Sequence, residues 1–136
     1  MLRAFILFCQ PLFLLLLATA DADEHRPHEL VRAIEQVESG GDPDAVGDGG
    51  KAVGILQIHP ITARDANRIE GHDKYSLEDR EDVSKSREIF WTITDHYSEG
   101  ESYETIARRW NGGPDGDEQE ATRKYWEKVK AELDKQ

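Results

Sequence analysis

The chain holds one cysteine, Cys9. It sits inside the leading apolar run, so a domain beginning near Asp21 has none and forms no disulfide. Stability must then come from packing alone. Positive charge is also scarce: 17 Lys and Arg stand against 28 Asp and Glu, for a net charge of −11. Such a surface repels nucleic-acid phosphates and anionic lipid, which excludes both as partners. Long apolar runs are limited to one, Phe5 to Leu17, and Gln10 and Pro11 interrupt it. It follows a short basic start, Met1-Leu2-Arg3, and leads to Ala18-Thr19-Ala20, a small-x-small cleavage site. Residues 1–20 therefore read as a secretory signal peptide. The other reading, an uncleaved anchor, needs a span near the lower limit of about 17 apolar residues. Ala20-Asp21-Ala22 offers a second cleavage position. Export without disulfides suits a bacterial periplasmic or wall-associated domain better than a disulfide-stapled animal secretion. No stable membrane insertion is expected once the signal is removed.

What remains is enough for one small domain over residues 28–136, after a loose lead-in at 21–27. The most informative stretch is Val31 to Gly41. Pro27 can open a helix there, and Gly40-Gly41 can supply its left-handed exit. At about 100° per residue, Leu30, Ala33, Ile34 and Val37 form one apolar arc. Glu38 falls inside that arc and Glu35 outside it. Burial and the negative helix end both disfavour an ionised Glu38, as a general acid requires.

Gly41 to Lys51 reads as a solvated loop. Its acidic residues do not fit a calcium loop, because Val46 stands at the fifth position counted from Asp42. Ala52 to Ile58 is apolar except for Gln57 and is either a short buried strand or one helical turn. Gln57 needs hydrogen bonds, from backbone or from a ligand. Helices are expected over 62–69, 83–97, 103–109 and 118–133. The second places Val83, Phe90, Ile93, Thr94 and Tyr97 on a core face with Arg87 intruding. Trp110 to Pro114 breaks the third. In the last, Thr122, Tyr125, Trp126, Val129 and Leu133 form the buried side. The expected class is a mainly α single domain with at most minor strand content. The five histidines have no metal-ligand spacing, so neither metal nor cofactor is expected; His59 could border a cleft near Gln57.

Three motifs occur in order: Glu38-Ser39-Gly40-Gly41, Gly54-Ile55-Leu56-Gln57-Ile58 and Trp110-Asn111-Gly112-Gly113, followed by Tyr125. Together with His59-Pro60-Ile61-Thr62-Ala63 they resemble the soluble lytic transglycosylase domain of the lysozyme-like superfamily, related to goose-type lysozyme. The resemblance covers roughly residues 28–130. It departs at Trp110, where the family usually has Tyr, and at Ile55-Leu56, which replace Leu-Met.

The resemblance implies a lysozyme-like fold and a monomer acting on peptidoglycan glycan strands. It implies Glu38 as catalytic acid and base, with Ser39, Gln57, Trp110 and Asn111 at the substrate and Tyr125 supporting the acid. It further implies a one-carboxylate route to a 1,6-anhydromuramyl product at the bond between N-acetylmuramic acid and N-acetylglucosamine. A hydrolytic muramidase remains the alternative, with Asp42, Asp44 or Asp48 steering a water. A wall-binding or assembly protein without turnover is a further one. Arg108 and Arg109 could meet wall-peptide carboxylates or form a solvated face.

Overall fold

The computed structural model describes residues 26–136. The expected signal peptide and most of the lead-in lie outside the described residues. Helix α1 runs His28–Ser39, preceded by Pro27 and closed by Gly40 at φ 68°. The Gly40 N–H returns to the Gln36 carbonyl at 3.0 Å, so the left-handed exit comes where the sequence offers it. Leu30, Val31, Ala33 and Ile34 are buried in the core.

Glu35 departs from expectation. Periodicity puts it outside the apolar arc, yet it is only 3% exposed. Arg87 donates to its two carboxylate oxygens from Nε at 2.7 Å and from Nη2 at 2.9 Å. A buried carboxylate is tolerable with such a bidentate partner. The same pair explains why Arg87 intrudes on an otherwise apolar helix face.

After α1 the chain makes a minimal antiparallel hairpin, β1 (Val46–Gly47) against β2 (Ala52–Val53), around a short 3-10 turn. Residues 54–57 then form a tight turn, closed by a bridge between Val53 and Ile58. Gly54 holds φ 80° there, and a Cβ on it would lie 2.0 Å from the Arg80 carbonyl oxygen. Only glycine fits this crossing. Arg80 braces the turn, donating to the Ile58 and Lys51 carbonyls at 3.1 Å each.

Helix α2 spans Pro60–Glu70 with Pro60 in its first turn, and α3 spans Val83–Ser98. Asp82 caps α3 by accepting from the Lys85 N–H at 2.8 Å. Helix α4 covers Tyr103–Gly112, capped by Ser102. The break expected at Trp110 thus falls at Gly113 instead. The Trp110 ring meets Phe90 edge-on at 4.8 Å between centroids, and this packing keeps the last turn helical. Helix α5 begins later than expected, at Arg123, and ends at Leu133. Residues 116–122 fold as two 3-10 turns, tied by Arg108 to Thr122 Oγ1 and the Gln119 carbonyl at 2.9 and 3.0 Å.

Helix α1 packs mainly on α5, and α2 on α3, while α4 bridges α3 and α5. Leu30, Ile34, Leu56, Ile89, Phe90 and Val129 fill the space between them. Among the described residues this is a mainly α domain with one two-stranded sheet. None of its helices is long and apolar enough to cross a membrane.

Candidate active site

A cleft of about 730 Å³ opens on the described surface. Its lining comes from the end of α1, the 54–58 turn, one face of α2, the last turns of α3 and α4, and Gly113-Pro114. Glu38 reaches it because α1 ends there, with Gly40 turning the chain away.

Tyr125, from α5, donates its hydroxyl to Glu38 Oε1 at 2.7 Å. Burial lifts the Glu38 carboxyl above the usual carboxylate range, and the Tyr125 hydrogen bond and the neighbouring Trp110 indole only partly offset it. Burial, then the charge and hydrogen bond of Glu38, holds the Tyr125 phenol well above its ordinary value. Tyr125 therefore stays a neutral donor that orients the acid.

Gln57 lines the cleft at φ 49°, a left-handed conformation that costs a non-glycine residue about 1 kcal/mol or more. Its amide nitrogen donates to the carbonyls of Ala45 at 3.1 Å and Gly54 at 3.0 Å. The side chain thus fastens the hairpin to the turn while standing at the cleft wall. Trp110 and Asn111 also line the cleft from the last turn of α4. Asn111 is exposed and its amide has no partner among the described residues.

Ser39 is placed differently. Its hydroxyl donates to the Ile55 carbonyl at 2.7 Å and lies within 3.2 Å of the Glu35 carbonyl, outside the cleft lining. It ties the end of α1 to the turn that carries Gln57. His59 does border the cleft, with Nε2 3.4 Å from Asp48 Oδ2.

Asp42, Asp44 and Asp48 are not among the lining residues. Asp42 accepts from the Asp44 N–H at 2.9 Å, closing a local turn. Among the described residues the only lining carboxyl group besides Glu38 is Asp65 of α2. Asp65 accepts from Arg68 Nε at 2.7 Å and from the Tyr97 hydroxyl at 2.9 Å. Arg68 Nη2 reaches the same hydroxyl at 2.9 Å.

This Asp65–Arg68–Tyr97 network is absent from the sequence-based site. The Asp65/Arg68 spacing of three is a visible helical pair, but its link to Tyr97 is tertiary. Tyr97, expected on a core face, is half-buried and lines the cleft because its helix end projects past the core. Nor do Arg108 and Arg109 form a solvated face. Arg108 is 7% exposed and held by Thr122, Gln119 and Glu104. Arg109 lines the cleft with its guanidinium tied to Asp117 and to the Tyr97 carbonyl. Among the described residues no three His, Cys, Asp or Glu gather as metal ligands.

A small helical domain with one raised carboxyl group on an open cleft has the form of a lysozyme-like domain. The chain belongs to the transglycosylase SLT domain family, whose model matches residues 16–132. Members of that family are transglycosylases that cleave glycosidic bonds, and peptidoglycan is the substrate the membership implies. No curated protein and no solved structure gives a significant match to the chain.

Proposed function

We propose that the protein is a peptidoglycan lytic transglycosylase with Glu38 as its single acid and base. The observation that carries this reading is the state of the two cleft carboxyl groups. Glu38 is pushed toward its neutral form by burial, while Asp65 is locked by Arg68 and Tyr97. A second free carboxylate, as two-carboxylate glycoside hydrolysis uses, is missing from the lining among the described residues. That supports a route needing only one.

In this route Glu38 gives its proton to the glycosidic oxygen as the bond to the muramyl anomeric carbon breaks. The oxygen of the substrate's own N-acetyl group bonds to that carbon and holds its positive charge. Glu38, now a carboxylate, takes the proton of the muramyl 6-hydroxyl. O6 then displaces the acetamido oxygen, which closes a 1,6-anhydro ring and restores protonated Glu38. No water enters. Tyr125 keeps the carboxyl aimed. Gln57, Trp110 and Asn111 supply a polar wall, an aromatic face and a free amide for the sugars. Export to the wall compartment is part of the proposal, supported by the leading apolar run and small-x-small site.

Mass spectrometry of purified peptidoglycan after treatment tests it. Muramyl ends one water lighter than hydrolysis products are expected, and ordinary reducing ends would make the protein a muramidase. Glu38→Gln keeps size and hydrogen bonding but cannot donate the proton. It is expected to lose about 10²- to 10⁴-fold in turnover, the range for general acid–base catalysis. Undiminished cleavage by that variant removes Glu38 from the mechanism.

A further inference from the structure

Arg64 of α2 differs from the other charged residues of the cleft wall. It is exposed, lines the cleft, and has no hydrogen bond or ion pair with any described residue. Together with Arg68 it also borders a second, adjoining depression of about 430 Å³, lined further by Asn67, Gly71, His72 and Asp73. Positions four apart share a helix face, so these two arginines form the lip between both depressions.

The cleft lining departs from the acid excess of the chain, and the adjoining depression adds one carboxyl group, Asp73. Acidic residues outnumber basic ones 28 to 17 overall, yet the cleft lining has three arginines and two carboxyl groups. Of the arginines, Arg109 is bound to Asp117 and Arg68 to Asp65. Arg64 alone of these lacks a counter-charge among the described residues. A glycan of N-acetylated sugars has no charge along its repeating ring and glycosidic framework. The anionic groups of a wall strand lie on its branches, and a guanidinium is suited to a carboxylate by its paired donors.

We propose that Arg64, supported by Arg68, is a carboxylate-reading subsite for the peptide arm of the glycan. The arm leaves the cleft over α2 and enters the second depression. The subsite makes the enzyme prefer peptide-bearing strands to stripped ones. This inference rests on the reading of the cleft as a glycan site.

The test compares three soluble glycan-strand preparations: peptide-bearing, peptide-bearing with amidated carboxylates, and enzymatically stripped. Wild-type kcat/KM is expected to be about fivefold higher on the first than on the second, near the upper range for an exposed ion pair. The ratio should shrink as salt is raised. In Arg64→Gln it should fall toward one, with Arg64→Lys intermediate. Equal wild-type rates on the first two preparations, or an undiminished ratio in Arg64→Gln, overturn the subsite. Absence of cleavage on all three defeats the transglycosylase reading instead. Calorimetric binding of the same strands to the Glu38→Gln protein then decides the subsite. Carboxylate-dependent affinity lost on Arg64→Gln supports it, and affinity independent of the carboxylates overturns it.

Discussion

At Glu38 two influences of opposite sign meet. Burial favours the neutral acid, whereas the hydrogen bond from Tyr125 and the nearby Trp110 indole favour the carboxylate, and burial prevails. A general acid works only while protonated, so the alkaline limb of kcat/KM follows the Glu38 pKa. Tyr125→Phe keeps the ring and removes the hydroxyl that stabilises the anion. The Glu38 pKa should then rise further and carry the alkaline limb to higher pH. The maximum rate should fall, because the acid is no longer aimed. A limb that stays in place while the rate falls would mean that Tyr125 positions the acid without tuning it. Trp110 belongs to the same balance. The family's usual Tyr gives way to an indole that both neighbours Glu38 and packs on Phe90. The sequence departure therefore keeps an aromatic wall beside the acid.

Among the elements, α1 was legible almost residue by residue because its signals are local. Pro27, an apolar arc and a glycine pair lie within one stretch of chain, and the observed helix is His28–Ser39. The burial of Glu35 was not legible, since its partner Arg87 lies 52 residues away on α3. The end of α4 departs from the local signal for a similar reason. Trp110-Asn111-Gly112 reads locally as a breaker, but contact with Phe90 of another helix carries the turn through Gly112. Glu38, Gln57, Trp110 and Asn111 do converge on one cleft, and Tyr125 meets Glu38 from α5. Asp65 and Arg64 carry no local signal of the site, and Tyr97 reads locally as core, because only the docking of α2 on α3 brings them to that wall. The link between α1 and α3 also carries a stability prediction. Arg87→Ala leaves a buried carboxylate unpaired and should cost about 2–3 kcal/mol by urea unfolding, since Arg87 is itself partly exposed. The double change Glu35→Leu, Arg87→Leu should recover most of that loss. A double variant as weak as the single would show that the ion pair itself, and not the stranded charge, sets the cost.

Over the whole molecule, charge and packing oppose each other. No cysteine falls within residues 28–136, so no disulfide restrains that domain, and the net charge of −11 adds self-repulsion that grows as the chain compacts. Ion pairs act in the other direction, but many join exposed side chains, as Arg123 with Glu120 and Lys130 with Asp134 do. Such pairs contribute about 0–1 kcal/mol each and weaken with salt. Added salt therefore has two effects of opposite sign on stability. The repulsion involves every excess acidic group at long range, where screening is strongest; the Debye length is about 30 Å at 0.01 M and 8 Å at 0.15 M. The pairs act at contact distance, where screening is weaker. Repulsion should dominate, so raising NaCl from 0.01 to 0.15 M is expected to stabilise the domain by about 1 kcal/mol, or about 4 °C in Tm. The same shift should disappear near the sequence pI of about 4.8, where the excess charge is gone. A Tm that falls with salt at neutral pH would mean that the surface pairs, as a network, outweigh the net charge. The cleft would then be one of several places where this acidic chain organises its arginines.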